Sequence, residues 1–117
     1  MTSEHSLYLS LGYCLFMLAL ALILKKFPPR KINHFYGYRT RRSMLTEHTW
    51  VAANTYSTRL MIKISLWSFV IALVTYFIYP EFTLWTTLIA NTLLLFVIIF
   101  KTENYLKKHF DDSGNPK

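Results

Sequence analysis

A single cysteine, Cys14, stands among 117 residues, so the chain can form no internal disulfide and no thiolate metal cluster. Glycine is nearly as scarce: Gly12, Gly37 and Gly114 lie far apart, which excludes a glycine-rich phosphate loop. Acids number six against thirteen lysines and arginines, and they are mostly peripheral, so no two carboxylates are poised for acid and base work. The four histidines, His5, His34, His48 and His109, are scattered. No H-E-x-x-H occurs, and Glu47-His48 lacks the preceding ligand of a zinc helix. No serine sits in a nucleophile elbow. No enzymatic activity, no cofactor and no bound metal are therefore expected.

What the chain has in quantity is apolar sequence. At 53% hydrophobic residues, a soluble body of this length would have to hide three long apolar runs in a small interior, whereas a membrane accepts them directly. After an external N-terminus, residues 1–6, the first run covers residues 7–24, carries no charge and extends about 27 Å as a helix. Ala19-Leu20-Ala21 looks like a signal-peptide cleavage site, but Glu4 and His5 precede the run and Lys25 and Lys26 follow it. That order is a stop-transfer arrangement with the N-terminus outside, and Pro28-Pro29 ends the helix. Ser10, Cys14 and Ala21 fall near one side and admit a neighbouring helix. Buried there, the Cys14 thiol is expected to be inert.

The second span, residues 60–79, is interrupted only by Lys63, one helical turn from its basic end, where the long stem carries the ammonium back to the interface. Ser65, Ser68, Ala72 and Thr75 recur at intervals of three and four, a seam of small side chains. Residues 80–81 make an external turn without lysine or arginine, and residues 82–100 form the third span. Within it Thr83, Thr87 and Asn91 repeat every four residues. An amide turned toward lipid would cost several kcal/mol, so Thr83, Thr87 and Asn91 are expected to face the other two helices, and Asn91, Thr87 and Ser68 are the residues expected to serve helix packing. The tail, residues 101–117, is expected to continue briefly as a helix and to fray from residue 111 onward.

Residues 25–59 form the polar loop. Lys25, Lys26, Arg30, Lys31, Arg39, Arg41, Arg42 and Arg59 lie there against one acid, Glu47. The positive-inside bias places this loop in the cytoplasm and favours anionic headgroups at the inner leaflet, with Lys101, Lys107 and Lys108 on the same side. No nucleic-acid-binding fold accompanies Arg39-Thr40-Arg41-Arg42, and nucleic acid is not expected as a partner. In His34-Phe35-Tyr36-Gly37-Tyr38-Arg39 the glycine can take a positive φ and turn both tyrosines toward the interface. Thr46 caps a short cytoplasmic helix that bends or runs straight into the second span. Glu47, Trp50 and Asn54 share one of its faces, and Glu47 is expected to pair with Arg39, Arg41 or Arg42. The expected fold is an all-α membrane protein of three transmembrane helices, N-terminus outside and C-terminus inside, with that short helix preceding the second span.

The run Asn33, Tyr36-Gly37-Tyr38-Arg39-Thr40, Ser43-Met44, Trp50, Ala53-Asn54 resembles the signature of the SdpI family, small bacterial membrane proteins related to an immunity protein that protects a producer from its own peptide toxin. The resemblance implies an integral protein of the bacterial cytoplasmic membrane without known catalysis, serving immunity or resistance to a membrane-active peptide toxin through the loop motif. The residues alone leave a second role open: a signalling or interaction module whose basic loop binds anionic lipid or a cytoplasmic regulator. Transport is disfavoured, since three short helices offer no repeat and no broken helix.

Overall fold

The structure, a computed structural model, describes residues 2–117. Its elements are α1 (Ser3–Lys26), α2 (Glu47–Ile78), a 3-10 turn (Pro80–Phe82) and α3 (Thr83–His109). All three helices are long and apolar enough to cross a membrane.

Each boundary has a local cause. The Thr2 hydroxyl accepts the His5 amide and starts α1. α1 stops at Phe27, ahead of two prolines that lack the amide needed to extend a helix. α2 opens with a reciprocal box: Thr46 Oγ1 accepts the Thr49 amide, and Thr49 Oγ1 accepts the Thr46 amide. With no glycine or proline between them, residues 47–78 run as one helix of about 48 Å, longer than the ~30 Å hydrocarbon layer. The short helix expected before the second span is therefore not separate: it is the first turns of α2. At the far end, α3 begins beside α1, and the Leu84 amide, unpaired within its own helix, donates to Ser6 Oγ at 2.9 Å.

The three helices meet through small side chains. Ser6, Ser10, Cys14 and Ala21 of α1, Ser65, Ser68 and Ala72 of α2, and Thr83, Thr87 and Asn91 of α3 are all buried. Their slight bulk lets the backbones approach, which is how helices associate where lipid removes the hydrophobic drive. Ser68 donates to Asn91 Oδ1 at 2.6 Å, and Asn91 Nδ2 donates to the Thr87 carbonyl at 2.8 Å, so the deep amide is satisfied on both sides. The Thr87 hydroxyl itself is buried without a partner, and its place in the seam is one of shape. Large apolar side chains point outward instead: Trp67 is 65% exposed, Phe77 84% and Phe100 69%. Small residues inside and bulky ones outside suit a surrounding of acyl chains.

The tail departs from expectation. Residues 110–117 do not fray but fold back: Phe110 and Pro116 pair as an isolated bridge, the Lys117 amide donates to the His109 carbonyl, and Asp111 Oδ1 accepts the amides of Ser113 and Asn115. Gly114, at φ +85°, then rests against the start of α2, where Thr46 Oγ1 donates to its carbonyl at 3.0 Å. Loop and tail thus occupy the same end of the bundle.

Candidate functional site

The loop between α1 and α2 folds as a cap on the ends of α2 and α3, and the motif residues build it. Asn33 begins with an Asx turn: Oδ1 accepts the amides of Phe35 and Tyr36, each at 2.9 Å, and Nδ2 donates to the Lys31 carbonyl. The turn lifts Phe35 to 90% exposure and leaves Tyr36 exposed, so neither ring belongs to the core. Gly37 follows with φ +104°, the expected positive value. A Cβ there would stand 2.7 Å from Asn54 Oδ1 and 2.7 Å from Pro29 Cγ, so close approach as well as φ demands glycine.

That approach lets α2 hold the loop by its main chain. Asn54 Oδ1 accepts the Tyr38 amide at 2.6 Å, while its Nδ2 donates to the Trp50 carbonyl at 2.9 Å and faces the Tyr38 carbonyl at 3.4 Å. One turn earlier on the same face, the fully buried Trp50 donates its indole N–H to the Pro29 carbonyl, tying the exit of α1 to α2. Thr40 and Ser43 close the next turn reciprocally, each side-chain oxygen accepting the other residue's amide, at 2.8 and 3.2 Å. Thr49 Oγ1 then reaches the Ser43 carbonyl at 3.1 Å. Buried polar groups are thereby paired among themselves, and the network specifies one loop conformation.

α3 contributes the remaining contacts. The Tyr38 hydroxyl donates to Glu103 Oε1 at 2.7 Å, with the Ile99 carbonyl 3.3 Å away. Burial of the ring, and then Glu103 as hydrogen-bond partner and as a neighbouring negative charge, push the phenol well above the ordinary tyrosine pKa. Arg42 stands 3.8 Å from the other oxygen of Glu103 and 3.8 Å from Asp112 in the tail. Beneath the cap, Tyr56 of α2 stacks on Tyr105 of α3, with ring centres 4.4 Å apart and planes 8° from parallel.

Among the expected residues, Asn33, Gly37, Tyr38, Thr40, Ser43, Trp50 and Asn54 are brought into this single assembly. Tyr36 lies at its surface, and the Arg39 guanidinium donates to the His34 carbonyl within the loop. Glu47 requires correction. It is exposed at the first turn of α2, and its expected pairing with a loop arginine does not form; Arg42 pairs with Glu103 and Asp112. Those acids belong to α3 and the tail, which folding returns to the loop end, so a search for partners inside the loop could not find them. Glu103 went unrecognised for the same reason, although it is the one acid between Glu81 and Asp111; Thr49 and the Pro29 carbonyl lie inside the loop segment, where no side-chain pattern singles out a main-chain acceptor or one threonine among several. Among the described residues, no three of His, Cys, Asp and Glu cluster to hold a metal ion.

The SdpI/YfhL protein family matches residues 30–101, from the start of the cap through most of α3. The uncharacterised protein YfhL of Bacillus subtilis (strain 168) is 52% identical over 46 residues, which are 39% of this chain and 42% of that protein. The match therefore spans less than half of this curated relative. No solved structure matches the chain significantly. A family match that takes in the cap, all of α2 and the seam of α3, on a bundle of three apolar helices, places the chain in the SdpI/YfhL family as a multi-pass protein of the bacterial cell membrane.

Proposed function

We propose that the chain is a non-enzymatic immunity or resistance protein, which protects the cytoplasmic membrane against a membrane-active peptide toxin. The family match over residues 30–101 carries the reading. The cap supports it, because Asn33, Tyr38, Thr40, Ser43, Trp50 and Asn54 are held in hydrogen bonds that fix the loop, while Phe35, Tyr36, Arg39 and Arg41 stand exposed on its surface. Loop and tail face the cytoplasm, where the basic residues of both are favoured. Removing the gene should sensitise cells to the peptide, and the wild-type chain should restore resistance. Arg39→Ala should fail to restore it at unchanged abundance; equal sensitivity of all strains would end the immunity reading. Attachment of an impermeant thiol reagent from outside intact cells to a Cys14→Ser/Phe35→Cys variant would overturn the orientation.

A second reading rests on one observation. Phe35 stands almost wholly exposed in a loop whose Arg30, Lys31, Arg39 and Arg41 are exposed as well, an apolar residue among basic ones that suits an acidic region of a cytoplasmic regulator. Arg41→Glu tests it best, since Arg42 is engaged with Glu103 and Asp112. Co-purification of a regulator that survives this charge reversal would exclude the loop as its contact.

A further inference from the structure

At the loop end of α1 and α2 lies a cleft of about 500 Å³ lined by Lys25 and Leu24 of α1 and by Thr58, Arg59, Ile62 and Lys63 of α2. Three cations from two helices converge on it, and no carboxylate lines it. Among the described residues, ion pairs involve only Arg42, so Lys25, Arg59 and Lys63 have no acidic partner. Arg59 and Lys63 are four residues apart on one helix face, an arrangement that repels, and Lys25 adds a third like charge. Such a grouping is relieved when an anion shares it.

The apolar surroundings say which anion. Leu24 and Ile62 line it beside the cations, and beyond them apolar residues continue toward mid-span as exposed Leu20 on α1 and exposed Leu66 and Val70 on α2. Cations at the end of a span, above a continuous apolar track, match a phosphate carried on acyl chains rather than a free phosphate. We propose that Lys25, Arg59 and Lys63 bind the phosphodiester headgroup of an anionic phospholipid, with the acyl chains lying along the α1–α2 groove. Lys63 then has a function beyond returning its charge to the interface: it is the deepest of three ligands. The cleft adjoins the cap, with Asn54 on its lining, but its three cations are not among the cap's motif residues, and it requires only that the helices span a membrane, not that the chain confers immunity.

The test uses the purified full-length protein in neutral detergent, with retained lipid counted by native mass spectrometry. Phosphatidylglycerol should be retained as one tightly held molecule per chain, and phosphatidylcholine should not. Lys25→Gln/Arg59→Gln/Lys63→Gln should lower retention about a hundredfold, whereas Lys101→Gln/Lys107→Gln/Lys108→Gln, with the same loss of charge, should keep it. The charge-preserving Lys25→Arg/Arg59→Lys/Lys63→Arg should keep it as well, which separates binding from folding. Equal retention of the two lipids by the wild type, or equal loss in the cleft and tail variants, would overturn the site. Displacement of the lipid by millimolar inorganic phosphate would overturn the assignment to lipid.

Discussion

The side-chain amide of Asn54 clasps the main chain of Tyr38, accepting its N–H at 2.6 Å with one end and facing its carbonyl at 3.4 Å with the other. This grip depends on Gly37 leaving room. Gly37→Ala should therefore strain φ and press on Asn54 and Pro29 together, costing about 1–3 kcal/mol. Asn54→Leu should cost a similar ~1–3 kcal/mol by leaving the Tyr38 amide unpaired. Unfolding in mixed micelles, followed by far-ultraviolet circular dichroism, measures both. Because the two act at one contact, the double variant should lose less than the sum of the single losses.

Trp50 and Trp67 offer an internal comparison. Trp50 is fully buried and donates to the Pro29 carbonyl, while Trp67 is 65% exposed on the outer face. Trp50→Phe should strand that carbonyl and lower stability by about 1–3 kcal/mol, with faster trypsin cleavage of the loop. Trp67→Phe should leave both measurements within ~0.5 kcal/mol of the wild type.

Tyr38 predicts a dependence on pH. Its pKa in the folded protein lies above the value in the unfolded chain, near 10, so its contribution is fully present below about pH 10. Above that, the unfolded chain gains by ionising first, and stability falls as pH rises toward the folded value. Tyr38→Phe should remove this part of the alkaline decline, and Glu103→Gln should reduce it. Unfolding midpoints collected from pH 8 to pH 11 in micelles check the slopes, and a Tyr38→Phe slope equal to that of the wild type would refute the assignment.

In the membrane interior, Ser68 and Asn91 should behave as a coupled pair. Ser68→Ala and Asn91→Ala are each expected to destabilise the bundle, with a coupling of about 0.6 kcal/mol and at most ~1.7 kcal/mol, the range found for such bonds between transmembrane helices. A double-variant cycle in micelles measures it. A coupling of zero would mean that Asn91 is held by the Thr87 carbonyl alone.

What the sequence disclosed was whatever depends on local spacing. Ser10, Cys14 and Ala21, then Ser65, Ser68 and Ala72, then Thr83, Thr87 and Asn91, announce one packed face per helix because small or weakly polar residues recur every three, four or seven positions. Gly37 was legible as a positive-φ position for an equally local reason. The partners of the cap were hidden because they are distant in the chain. Glu103 lies 65 residues from the hydroxyl it accepts, and the neighbours of Gly114 are Leu45 and Thr46. A turn-rich tail reads as disordered until the start of α2 is there to receive it. Glu47 misled for the opposite reason: proximity in sequence suggested a pairing that tertiary contacts gave to other acids.

The bond from Thr46 to Gly114 joins positions 68 residues apart. A nascent chain that has released only α1 and α2 into the bilayer owns most of the motif but none of its α3 or tail partners. The cap is thus completed only when α3 and residues 110–117 have reached the loop end. Any protein that reads the finished cap sees only chains whose three spans have come together.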